Sequence, residues 1–438
     1  MQEWTFALLL MFGGVVAMLL IGLPIVFAFL VVNIVGAIIF LGGEIGLTQM
    51  VRNMGPAVAN YSLAPVPLFV LMGEIMLQTG MASRSIDAID RLISRVPGRL
   101  SIVAVLSGTV FSSLSGSTIA NVAVVGRTLY PQMHDRGYHP VMAVGPVLAV
   151  GGIAMLIPPS SLGVLLGSLA QISINDLLLT AIVPGVLMAL LFLGFIIVSC
   201  VIRPDIAPVF DVKELTWKQR LMPVVTHVLP LMLIFVAVVG SMFTGVATPT
   251  EASAIGVLAT IVAAAGYRAL SIESLRKSLV ETTKFSGMLL IIICTSGTFS
   301  QILAFSGATQ SLAEMVTSSG LTPLLLVLGM LAVLVFLGCF MDQLSMMMLT
   351  LPIFMPIVAG LGIDQLWFGV LVLIVLEISL ITPPFGLLLF VMQGVVGKQL
   401  KVTTIYAAVA PFILLEFIIL ALMIVFPQLT SWLPGLLR

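Results

Sequence analysis

The chain has 438 residues, 60% of them hydrophobic and only 8% charged, with 18 basic residues balancing 18 acidic ones. Such a composition excludes a water-facing surface over most of the chain and gives no basic excess for nucleic acid, so the lipid bilayer is its main solvent. At roughly 20 residues per crossing, residues 1–438 form one integral domain of about ten to twelve crossings or half-crossings, with no soluble domain.

In the first half, residues 4–20 are apolar but lack a basic leader, because Glu3 is the only charge before them and the first basic residue is Arg52. A retained helix fits better than a signal peptide. Gly22 and Pro24 divide the apolar run 4–41 into two helices, and another apolar segment covers residues 63–77. Residues 83–99 then set Arg84, Asp87, Asp90, Arg91, Arg95 and Arg99 against Ile86, Ile89, Leu92 and Ile93 at helical spacing. This pattern suits a helix on the membrane surface or a solvated loop helix. The apolar run 100–130 is interrupted by Ser112-Ser113-Leu114-Ser115-Gly116-Ser117-Thr118 and is expected to end at Pro131. Two short arms with a polar tip, a re-entrant hairpin over 100–131, account for it. A helix over 141–170 follows, and Ile157-Pro158-Pro159-Ser160 breaks it, because adjacent prolines remove backbone donors and push away carbonyls one turn back.

The polar stretch 203–220 carries Arg203, Lys213, Lys218 and Arg220 and is read as a linker over 204–219 between two halves. Its basic residues favour the cytoplasm, although the amphipathic segments are equally basic, which leaves the orientation of the termini open. In the second half, Glu251 follows Thr248-Pro249-Thr250 as a helix opening or a functional acid, and residues 271–284 form a second amphipathic segment. Residues 321–356, interrupted around Gly338 and Asp342, read as a second hairpin ending at Pro356, and Thr382-Pro383-Pro384-Phe385 breaks a helix over 366–395. Pro131 and Pro356, Pro158 and Pro383, and Gly116 and Met341 each stand 225 residues apart. The chain is therefore an internal repeat of about 61–203 and about 285–427, and an odd number of crossings per half would invert one copy relative to the other.

The polar tips suit ion binding. Ser115, Ser117, Thr118 and Asn121 offer neutral oxygens, and broken helices expose carbonyls, as a small hard cation requires when it sheds water. Small residues also permit close helix packing, which fits the same pattern. Charges within apolar sequence are costly, so Asp342 is a candidate ion ligand or proton carrier, followed by Glu74, Glu251 and Glu377, whereas Glu416 looks structural. Arg127 fits pairing with a substrate carboxylate or with an internal acid. Cys200, Cys294 and Cys339 lack paired spacing, and His134 and His139 have no third ligand nearby, so neither disulfides nor a zinc-type site are expected. The only Gly-Lys pair, Gly397-Lys398, precedes Gln399 rather than Ser or Thr, so an ion gradient rather than ATP should supply energy, and no cofactor or enzymatic motif is expected.

Together, Ser115-Gly116-Ser117-Thr118-Ile119-Ala120-Asn121, Arg136-Gly137-Tyr138, Ile157-Pro158-Pro159-Ser160, Thr248-Pro249-Thr250-Glu251-Ala252, Met341-Asp342 and Ile381-Thr382-Pro383-Pro384-Phe385-Gly386 resemble the large membrane subunit of tripartite ATP-independent periplasmic (TRAP) transporters. The resemblance covers nearly the whole chain. It implies an all-α polytopic protein of the bacterial inner membrane with two inverted repeats and an elevator mechanism. It also implies sodium coupling and import of organic acids, carboxylates or sialic-acid-like sugars, delivered by a periplasmic binding protein. Carried over by motif, one sodium site involves Ser115, Ser117 and Asn121 near Pro158 and Ser160, and the second involves Gly338 and Asp342 near Thr382 and Gly386. Ser117, Thr118, Arg127, Ser161 and Pro384 are the candidate substrate contacts, and Arg127 and Leu387-Leu388 depart from the family pattern. A separate small four-helix membrane subunit is implied as partner. A stand-alone sodium-dicarboxylate symporter of related fold is the alternative, ahead of a passive channel or a membrane scaffold.

Overall fold

The computed structural model describes residues 3–93, 96–208, 216–318, 320–384 and 386–437, and every regular element among them is helical. Arg95, residues 209–215 of the linker and Phe385 lie outside the described residues. The first half contains α1 (Glu3–Leu20), α2 (Ile25–Phe40), α3 (Glu44–Val58), α4 (Tyr61–Gln78), α5 (Met81–Leu92), α6 (Arg99–Ser115), α7 (Thr118–Asp135), α8 (Pro140–Leu156), α9 (Ser161–Leu169) and α10 (Ile174–Ile202). The second half contains α11 (Trp217–Phe243), α12 (Pro249–Gly266), α13 (Ile272–Phe305), α14 (Ala308–Ser318), α15 (Pro323–Gly338), α16 (Gln343–Gly360), α17 (Gln365–Ile381), α18 (Leu387–Val396), α19 (Val402–Val425) and α20 (Gln428–Leu437).

Among the described residues eight helices are long and apolar enough to cross a membrane, and α8 with α9 makes a ninth span bent by 45° at its break. Their outer faces confirm which solvent they meet. Leu190, Val198 and Ile202 of α10 are more than half exposed, as are Leu233 and Val236 of α11 and Leu258 and Val262 of α12. A water-soluble protein would bury such residues, whereas lipid accepts them.

Both broken helices lie at the centre of the molecule. Every residue of α8 from Gly145 to Leu156 is buried, as is every residue of α17 from Phe368 to Ile381. Helix α8 packs against α6, α7, α10, α17 and α19, while α13 packs against α2, α3, α4 and α16. The ends of α7 and α16, and those of α8 and α17, are separated by a constant 225 residues.

Several boundaries differ from the sequence reading. Pro131 does not stop α7, which continues to Asp135, and α16 runs through Pro352 and Pro356 to Gly360. One missing N–H in a helix packed on its neighbours is tolerated at this depth, whereas the two-proline pairs are not bridged. The second amphipathic segment is not a separate surface helix; it forms the first turns of α13, whose 34 residues span about 50 Å. That length exceeds the ~30 Å hydrocarbon core and leaves the charged end outside it. Glu251 caps its own helix, since its side chain accepts from the Thr248 N–H at 2.8 Å while Thr248 Oγ1 accepts from the Glu251 N–H at 3.3 Å.

Candidate functional site

The first hairpin turns in two residues. Helix α6 closes at Gly116, whose φ of 56° is left-handed and therefore suits glycine, and Ser117 starts α7 by accepting from the Ala120 N–H at 3.3 Å. One turn into α7, the Asn121 amide donates to Ser112 Oγ and, at 3.0 Å, to the Val150 carbonyl of α8. Ser112 itself donates to that carbonyl at 3.3 Å, so both hairpin arms are tied to the broken helix at one point. The remaining oxygen of the amide, Asn121 Oδ1, is buried without a hydrogen-bond partner, and so is Ser161 Oγ. Gly116 lies against the break itself: a methyl group there would sit 2.8 Å from Ser161 Oγ and 3.6 Å from the Pro159 carbonyl. Ser160 caps α9 by accepting from the Gly163 N–H at 3.0 Å.

The second hairpin repeats this arrangement with different chemistry. Asp342 caps α16, accepting from the Ser345 N–H at 2.9 Å and from Ser345 Oγ at 2.7 Å. Gly338 abuts Ser379 of α17, and the Cys339 thiol lies 3.7 Å from the Pro383 carbonyl, so this tip meets the second break. Across that break the Gly386 N–H donates to the Thr382 carbonyl at 3.1 Å, and the Thr382 hydroxyl donates to Ile378 O at 2.5 Å. Both X-Pro peptide bonds within the pairs, Pro158–Pro159 and Pro383–Pro384, are cis.

A cavity of about 550 Å³ joins the two tips. Its lining includes the first-turn residues of four helices: Thr118 of α7, Ser161 of α9, Gln343 of α16 and Leu387 of α18. Ser115, Ser117 and Asp342 also face it, and the opposite wall contributes Glu74 of α4 with Glu281 and Lys284 of α13. Lys284 Nζ lies 2.6 Å from Glu281, a pair of partly exposed side chains. Neither member was singled out from sequence as a site residue, because the amphipathic pattern of residues 271–284 does not reveal which tertiary neighbours that face meets.

Two proposed substrate contacts fall elsewhere. Arg127 is exposed on α7, nine residues beyond Thr118 and hence about 13 Å along the helix, and does not line this cavity. Pro384 is also outside it; its carbonyl accepts from the Tyr406 hydroxyl at 2.6 Å.

Two helical hairpins whose tips meet two broken helices around one cavity, in a chain with eight membrane-length apolar helices among its described residues, are the architecture of a multi-pass membrane transporter. Residues 12–429 match the family described as "Tripartite ATP-independent periplasmic transporter, DctM component". The chain belongs to this family, as a large permease component of the bacterial inner membrane. It is 33% identical to the C4-dicarboxylate TRAP transporter large permease protein DctM of Pseudomonas aeruginosa, covering 86% of this chain and 87% of that one. It is 30% identical to the sialic acid TRAP transporter large permease protein SiaM of Vibrio cholerae, covering 97% of each. The fold is similar to that of the YdaH transporter of Alcanivorax borkumensis, with a TM-score of 0.63 at 14% identity over 90% of each chain.

Proposed function

We propose that the chain imports small organic acid anions by sodium-coupled secondary transport, working with a small four-helix membrane subunit and a periplasmic binding protein. The observation that carries this reading is the convergence of four helix N-termini on one cavity that also holds Lys284. Unsatisfied N–H groups and aligned peptide dipoles make such ends favourable to carboxylates, and Lys284, held 2.6 Å from Glu281 on the same wall, offers ammonium donors that a substrate carboxylate can share. Relatives named for C4-dicarboxylate, sialic acid and ectoine transport support an organic acid as cargo.

Sodium is the second cargo. Asn121 Oδ1 is a buried neutral acceptor without a protein partner beside the first break, and Asp342 supplies a carboxylate at the second tip. These donors fit a hard monovalent cation. The two hairpins and broken helices, α6–α9 and α15–α18, form the unit that moves past a scaffold including α4 and α13.

Reconstitution into vesicles with labelled C4-dicarboxylates and sialic acid tests the reading. Uptake is expected only with an inward sodium gradient, the small subunit and a loaded binding protein together. Lys284→Met should then lower substrate affinity about ten- to a hundredfold, the worth of a charge-assisted hydrogen bond. Uptake by this chain alone would instead identify a stand-alone symporter, and uptake indifferent to any ion gradient would reject symport.

A further inference from the structure

Two acidic side chains lie in the most enclosed part of the molecule, away from the cavity. Glu377 of α17 and Glu416 of α19 are both completely buried. They converge on one spot beside Gly152 of α8, where a methyl group would sit 2.9 Å from Glu377 Oε2 and 3.3 Å from Glu416 Oε1. Gly152 and Glu377 are themselves 225 residues apart, so the acid of one repeat fills the space left by the missing side chain of the other. Glu377 Oε1 accepts from the Met155 N–H of α8 at 3.2 Å, which ties the two broken helices together. The other three carboxyl oxygens, Glu377 Oε2 and both oxygens of Glu416, are buried with no hydrogen-bond partner.

Among the described residues of the helices packed on α17 and α19, none supplies a cation to balance them. Helices α8, α9, α10, α15, α16, α18 and α20 pack against α17 or α19, and within their described residues they carry no Lys, Arg or His. Their ionisable groups are Asp176 and Cys200 of α10; Cys339 and Asp342 lie at the tip joining α15 to α16, and Tyr406 lies on α19. His139 and Lys401 cap the starts of α8 and α19, which places them about 20 Å along those helices from Gly152 and Glu416. Two adjacent carboxylates in a dry, cation-free site would bear both desolvation and mutual repulsion. A carboxyl group that keeps its proton escapes both and gains a donor for the unpaired oxygen opposite.

We infer that Glu377 and Glu416 form a proton-holding carboxyl pair that joins the broken helix α17 to α19 beside α8 in the membrane core. Each carboxylate takes its proton from solvent hydronium, one O–H bond forming as another breaks and water being left, and the pair supplies a hydrogen bond from one carboxyl to the other beside Gly152.

Infrared spectroscopy of the full chain in an ester-free detergent at neutral pH tests this, because protonated carboxyl groups absorb separately from carboxylates and shift in D2O. The wild-type protein is expected to show that band, and it should lose the contribution of two acids in the Glu377→Gln/Glu416→Gln double variant, with each single variant losing one part. Glutamine keeps a neutral donor at each position, so the variants should retain helix content and thermal stability close to the wild type. A band unchanged by the double substitution would overturn the inference, as would a wild-type spectrum without it. The wild-type measurement stands even where a variant fails to fold.

Discussion

At the scale of single residues, the site rests on polar atoms whose partners are only partly supplied by the protein. Asn121 shows this most clearly, with its amide donating to Ser112 and Val150 while its Oδ1 accepts nothing. Buried acceptors are rarely left unpaired without a reason, and a cation ligand is such a reason. Asn121→Ala should weaken sodium activation of uptake about tenfold or more, read as the sodium concentration for half-maximal uptake. It should also cost about 1–3 kcal/mol of stability, because the Val150 carbonyl and Ser112 lose a donor. Unchanged sodium dependence in a folded variant would remove Asn121 from the ion site. The serine-rich tip and Asp342 were legible from sequence because polar residues interrupt apolar runs. Whether Arg127 reaches the cavity was not, because neighbouring helical residues point in different directions and only tertiary packing fixes which of them looks inward.

At the scale of elements, the 225-residue spacing of matching helices was legible and where each helix stops less so. Matching prolines and tips at one offset located both hairpins and both breaks, since a strict spacing over a long chain survives local ambiguity. The prolines at 131 and 356 misled about the ends, because helix termination depends on whether neighbours resatisfy the freed carbonyl, which local sequence does not encode. The amphipathic segment before the first hairpin shows a further element-level device. Arg99, the first residue of α6 with a side chain 7% exposed, holds Asp90 of α5 at 2.8 Å and also donates to the Asp90 carbonyl at 2.5 Å. It thereby ties the last turn of α5 to the first turn of α6. Burial raises the Asp90 carboxyl above its ordinary value, and Arg99 opposes that shift. Arg99→Leu should leave a largely buried acid without this partner and lower stability by about 2–4 kcal/mol, measured as a drop in Tm in detergent. A Tm within a degree of the wild type would show that the junction is held by packing alone.

At the scale of the whole molecule, the proposed movement of the hairpin unit past the scaffold can be tested at one close contact between them. Gly73 of α4 faces the backbone of the first tip so tightly that a methyl group there would overlap the Ser115 carbonyl oxygen, with the carbonyl carbon at 2.9 Å. Backbone atoms cannot swing aside as a side-chain end can, so the tip as a whole must shift. The shift should cost about 1–3 kcal/mol in this position, a loss that a protein with so extensive a core tolerates. Its effect on transport should be larger, because the same tip lines the cavity with Ser115 and Ser117 and must pass α4 if the cargo is to change sides. Gly73→Ala is therefore expected to reduce sodium-driven uptake at least tenfold in vesicles while leaving folding, judged by Tm and monodispersity, nearly intact. Equal uptake by the two proteins would mean that the tip does not slide along α4. The scaffold would then have to be sought among helices that do not touch the first hairpin.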